Sequence, residues 1–72
     1  MDNFKKAVDI VNRIFKYRVI NGLTQVQMSN MLGVSVNMVG RYERGEVFPK
    51  PALVERFNLI LDEKEKNNEE IN

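Results

Sequence analysis

Asn37 and Arg41 are the two side chains of this 72-residue chain whose type and spacing most directly suggest recognition chemistry. Four residues apart in a helix, they project from one face. A carboxamide can make two hydrogen bonds to the edge of an adenine, and a guanidinium two to a guanine. Val36, next to Asn37, has the apolar surface to meet a thymine methyl. Ser35 has a hydroxyl that can reach a phosphate or a base edge. Gly40 lies on the same face, where it weakens a helix by up to about 1 kcal/mol relative to alanine. It reads as room for a close approach to a nucleic acid. The same residues are also compatible with plain solvated surface, and Ser35 with a plain N-cap. Their meaning depends on the elements that carry them.

Catalytic chemistry has little to work with. The chain has no histidine and no cysteine, which removes the commonest general base, the commonest metal ligand and any thiolate. There is no glycine-rich phosphate loop, and no pair of carboxylates placed for acid–base work. An enzyme is not expected, nor a cofactor, nor a bound metal. Without cysteine no disulfide can form, which fits a reducing, cytoplasmic setting. Asp2, Asp9, Asn12 and Arg13 interrupt the apolar pattern of the N-terminal segment. It therefore reads as neither a signal peptide nor a membrane span.

The run from Gly22 to Gly45, GLTQVQMSNMLGVSVNMVGRYERG, reads as two short helices with a tight turn between them. Thr24 is a good N-cap, and Gln27 stands three residues on, where a capping-box partner belongs. Met28 and Leu32 share one face. Gly33 stops the first helix, since glycine adopts the left-handed conformation of a C′ residue without steric cost. Ser35 opens the second helix. Val39 and Tyr42 form its inward face, and Gly45 closes it. Helices of about eight residues are unstable alone, so the flanking segments must pack against them. Val8, Val11, Ile14 and Phe15, with Ile10 and Tyr17, put more than one apolar stripe on a first helix. Leu53, Val54, Phe57, Ile60 and Leu61 recur at helical spacing after Pro51, which suits a first helical turn. The expected helices cover about residues 3–20, 24–32, 35–44 and 51–63. The charged segment 64–72, KEKNNEEIN, reads as a fraying helical extension or a disordered tail beyond a single domain 1–63.

The segments GLTQ, LGVS and RYERG, at these spacings, resemble the phage-repressor/Cro, or lambda-repressor-like, helix-turn-helix family of bacterial and phage DNA-binding proteins. The resemblance covers roughly Ile14 to Leu59. It implies a compact all-α, four-helix domain, or a five-helix one if the family's additional C-terminal helix is present. It implies base contacts from Ser35, Val36, Asn37 and Arg41, and phosphate contacts from Thr24, Gln25, Arg44 and Lys50. It also implies a partly buried salt bridge between Arg18 and Glu43. Ser29 stands where alanine is usual, so its hydroxyl must find a backbone carbonyl. Val26, Met31 and Met38 fall at positions that are usually polar, and could form an apolar patch for a protein partner.

Charge is distributed unevenly: residues 1–50 carry a net +4 and residues 51–72 a net −3. A basic body suits contact with phosphate. The leading expectation is a sequence-specific, double-stranded DNA-binding transcription regulator, a repressor from a bacterium or a mobile element, acting as a homodimer on a two-fold operator. Phe57, Ile60 and Leu61 are the candidate dimer residues, with a surplus from Phe4, Val8 and Val11 on the first helix. The alternative is an antitoxin-like or anti-regulator module that masks a protein through Val26, Met31 and Met38.

Overall fold

The computed structural model describes the backbone of residues 2–71 and the side chains of residues 2–66. Among the described residues the chain is helical and without strands: α1 (Asp2–Ile20), α2 (Gln25–Leu32), α3 (Val36–Glu43) and α4 (Pro51–Ile71). None of these helices is long and apolar enough to cross a membrane.

Local chemistry sets the ends of α2 and α3. The Gln27 amide donates to Thr24 Oγ1 (3.0 Å), and the Thr24 amide donates back to Gln27 Oε1 (2.8 Å). Two of the orphan donors at the start of α2 are thereby satisfied. At the other end, Gly33 takes φ +74°. That lets the Gly33 and Val34 amides both donate to the Ser29 carbonyl, at 2.8 and 3.1 Å. The turn then delivers Ser35 to cap α3, its Oγ accepting from the Met38 amide at 3.1 Å.

One core joins the four helices. α1 contributes Ala7, Ile10, Val11 and Ile14, at i, i+3, i+4 and i+7. Met28 and Leu32 come from α2, Val39 and Tyr42 from α3, and Val54, Phe57 and Leu61 from α4. Tyr42 meets Phe57 edge-on, with centroids 6.0 Å apart. Of the apolar stripes expected on α1, packing selects one. Val8 is half-buried, and Phe15 is exposed with the Arg18 guanidinium 5.6 Å above its ring.

α4 departs from expectation in two ways. First, Phe57 and Leu61 are 0 % exposed and Ile60 packs against the core. Phe57 and Leu61 are therefore not a free dimer surface. The described residues hold no fifth helix, so α4 has to close the core, and its apolar stripe is spent on that. Leu59, on the opposite face, is left 63 % exposed. On α1, Val11 is buried in the core while the Phe4 ring stands against Phe48, with centroids 5.4 Å apart. Second, the helical backbone continues past residue 63 to Ile71. Arg13 on α1 bonds Asn58 Oδ1 (2.7 Å), Asp62 Oδ1 (2.6 Å) and Glu65 Oε1 (3.0 Å) on α4. These carboxylates hold the Arg13 guanidinium above its ordinary pKa against the effect of desolvation. The side chains of 67–72, most of the expected tail, lie outside the described residues.

Substituting Leu61 by alanine should lower stability by about 2–5 kcal/mol, the usual cost of a large-to-small change in a core. Leu59→Ala, two residues earlier, should change it by less than about 0.5 kcal/mol. Urea unfolding of both variants checks the assignment; equal effects would mean that α4 is rotated about its axis.

Candidate nucleic-acid interface

The face that α3 turns outward is made of Val36, Asn37, Arg41 and Arg44, with Ser35 at its start. Ser35, Val36, Asn37 and Arg44 are exposed and Arg41 is half-exposed. The opposite face is anchored by Val39 and Tyr42. Because α3 has one well-filled inward face, its outward side chains have a defined direction.

Polar bonds fix α3 against its neighbours. Arg18 on α1 grips Glu43 with two bonds, Nε to Oε2 at 2.6 Å and Nη2 to Oε1 at 3.0 Å. The Arg18 side chain is 20 % exposed and that of Glu43 is 8 %. The bond to Glu43 raises the Arg18 guanidinium above its ordinary pKa, in opposition to desolvation. Arg18 Nη1 also donates to the Leu23 carbonyl (3.0 Å), tying down the chain between α1 and α2. Gln25 Nε2 donates to the same Glu43 Oε1 at 3.1 Å. One carboxylate thus receives a residue from α1 and one from α2.

Thr24 is exposed at the start of α2, next to Gln25. Lys50 is exposed just before α4, where its carbonyl accepts the Leu53 and Val54 amides, each at 2.9 Å. Gly40 is buried rather than open. A Cβ there would lie 3.0 Å from Arg44 Nη1 and 3.8 Å from Gln25 Nε2. Its small size lets the Arg44 guanidinium fold back across α3. The Ser29 hydroxyl donates to the Val26 carbonyl at 2.7 Å. Val26 is exposed, but Met31 and Met38 pack half-buried against the core. The apolar patch expected from these three side chains is reduced mainly to Val26.

Two residues near the helix pair escape sequence reading. Arg56 on α4 donates from Nη2 to the Leu32 carbonyl (2.9 Å), so a cation meets the C-terminal end of α2. An alanine at Gly33 would collide with that guanidinium. Nothing in the sequence marks a pairing across this separation. Glu46 is the second. Gly45, at φ +72°, turns the chain so that the Glu46 amide donates to the Arg41 carbonyl at 2.9 Å. The Glu46 carboxylate then lies 2.6 Å from Arg44 Nε and 3.7 Å from Arg41 Nε. An acidic residue right after a C′ glycine is the signal that could have located it. The hydrogen bond from Arg44 holds Glu46 below the usual carboxylate range, and Arg41 adds to the effect.

The profile of a helix-turn-helix family matches residues 14–63, which includes the end of α1, both short helices and α4 as far as residue 63. The chain belongs to the lambda-repressor-like helix-turn-helix family. As a member of it, the protein is a DNA-binding protein of transcription regulation. It is similar to an uncharacterised HTH-type transcriptional regulator of Bacillus subtilis (strain 168), YazB. The two are 34 % identical over 50 residues, which is 69 % of this chain and 72 % of that protein. No solved structure matches significantly. In the family's terms α2 and α3 are the helix pair.

Arg18→Ala and Glu43→Ala should each destabilise the fold, because either change leaves the partner partly buried without its counter-charge. A double-mutant cycle should give a coupling energy of about 1–3 kcal/mol. A coupling indistinguishable from zero would show that the pair does not hold α3 in solution.

Proposed function

We propose that the protein is a sequence-specific repressor that binds double-stranded DNA as a homodimer on a two-fold operator. The observation that carries this reading is the outward face of α3, on a capped helix held from α1 and α2 through one carboxylate. Asn37 and Arg41 have the donors for bidentate contacts to adenine and guanine, Val36 suits a thymine methyl, and Ser35 stands at the helix N-terminus. Thr24, Gln25, Arg44 and Lys50 are assigned to phosphates, where they position the protein without reading sequence. Gln25 uses one amide hydrogen on Glu43 and keeps the other for a phosphate. A protein seated across a promoter excludes polymerase, which makes repression the simplest consequence.

One domain with a few phosphate contacts binds weakly. Two of them, with recognition helices about 34 Å apart, match successive major grooves and raise each other's effective concentration. With Phe57 and Leu61 in the core, the large apolar side chains left for association near α4, among the described residues, are Phe4, Phe48 and Leu59. The alternative of a protein-masking module has less to stand on, since Met31 and Met38 are packed against the core.

Selection of bound duplexes from a random pool tests binding, symmetry and half-site spacing together. A two-fold sequence with half-sites one turn apart is the expected result; recovery of no enriched sequence would sink the reading. Arg41→Ala should then relax preference at one base pair of each half-site, at a cost of about 1–3 kcal/mol, with the thermal midpoint unchanged. Full affinity and unaltered preference would move the recognition face elsewhere. Leu59→Lys should leave the fold intact and weaken dimer formation on the selected duplex. Sedimentation with and without that duplex measures it, and an unchanged dimer would place the interface off this face.

A further inference from the structure

Glu46 stands where a phosphate-binding surface would least be expected to carry a negative charge. Its carboxylate faces the two cations of the recognition helix, at 2.6 Å from Arg44 Nε and 3.7 Å from Arg41 Nε. A second bond, from Arg44 Nη2, reaches Oε1 at 3.4 Å. The backbone makes the arrangement local and persistent. The left-handed Gly45 and the bond from the Glu46 amide to the Arg41 carbonyl fold Glu46 back onto the last turn of α3. Gly40 leaves the space in which the Arg44 guanidinium lies.

We propose that Glu46 is a specificity-determining residue for DNA binding, an internal stand-in for phosphate that occupies Arg41 and Arg44 until a matching base edge replaces it at Arg41. The inference rests on the DNA-binding reading above and deepens it.

The physical reason is the difference between the two kinds of complex. Binding to random sequence comes almost wholly from neutralising phosphates. To contribute there, both arginines must leave Glu46, and the uncompensated carboxylate then sits close to the DNA backbone. At a matching site Arg41 moves from a 3.7 Å ion pair to a bidentate bond on a guanine, and with α3 seated in the groove Arg44 can offer Nη1 to its phosphate while Nε stays on Glu46. The carboxylate therefore penalises random sequence more than the matching site. Each exposed ion pair is weak by itself, so the effect on binding is graded.

The test compares wild-type protein with Glu46→Gln on a labelled random duplex and on the duplex enriched by selection, by fluorescence anisotropy at several salt concentrations. The variant should bind the random duplex about three- to tenfold more tightly, with a log–log salt dependence steeper by about one unit, as one more phosphate is neutralised. Affinity for the selected duplex should rise less, so the ratio between the two falls. Equal gains on both duplexes would reduce Glu46 to a contribution to overall charge and overturn the proposal, as would an unchanged random-duplex affinity. Wild-type protein that binds neither duplex would instead overturn the DNA-binding reading, and the proposal with it. A DNA-free arm tests the contact itself. By carbon-13 carboxylate titration, Glu46 should titrate below the usual carboxylate range in the wild type and return towards it in Arg44→Gln. An ordinary value in the wild type would mean that the arginines are not held in solution, and would end the proposal.

Discussion

The two bonds from Arg18 to Glu43 are the link on which the placement of α3 depends. α3 is eight residues long, too short to persist without tertiary support. Val39 and Tyr42 sink it into the core, but apolar packing alone is non-directional and would tolerate rotation or sliding of so short a rod. The guanidinium–carboxylate fork removes that freedom, because its geometry is satisfied at one register only. Gln25 converges on the same carboxylate from α2. Such a buried pair adds little net stability, since desolvation offsets most of its Coulomb gain. Its contribution here is orientation.

The burial that drives folding comes from elsewhere, chiefly from α1 and α4. With four helices among the described residues, α4 takes on the closing of the core, and Phe57 and Leu61 disappear into it. Arg13 clips α1 to α4 on the outside of that contact. One consequence is a division of labour along α4. Its inward stripe and Arg56 serve the monomer, Arg56 by meeting the end of α2, while Leu59 stays on the surface.

On the outward side, charge is balanced rather than simply positive. Arg41 and Arg44 share Glu46. A patch of free cations would favour any duplex; here both cations are engaged by a carboxylate. The same Gly45 turn that ends α3 supplies this carboxylate, so termination of the helix and tuning of its charge arise from one short segment.

The elements most legible in the sequence are those set by neighbours a few residues apart. Thr24 with Gln27, Gly33, Ser35 and Gly45 mark the bounds of α2 and α3 through caps that close within five residues. The inward faces of those helices follow from their period. The Arg18–Glu43 pair was placed by family register and not by any pattern in the residues. The long helices were less legible. Both α1 and α4 carry more apolar residues than one face can bury, and periodicity alone does not rank the stripes. Hence Phe57 and Leu61 read as available for a partner, and Phe15 reads as one of several apolar positions on α1 with no stripe singled out.

By itself, then, the sequence determined the helix-turn-helix, its caps and the set of side chains on the outward face of α3, because all of these depend on local geometry. The tertiary structure decided which stripe of α4 is core, what Arg13 and Arg56 bind, and that Glu46 covers the arginines. Those contacts depend on how the helices cross, or on the path of the chain after a turn, and packing sets both only once the whole core is assembled.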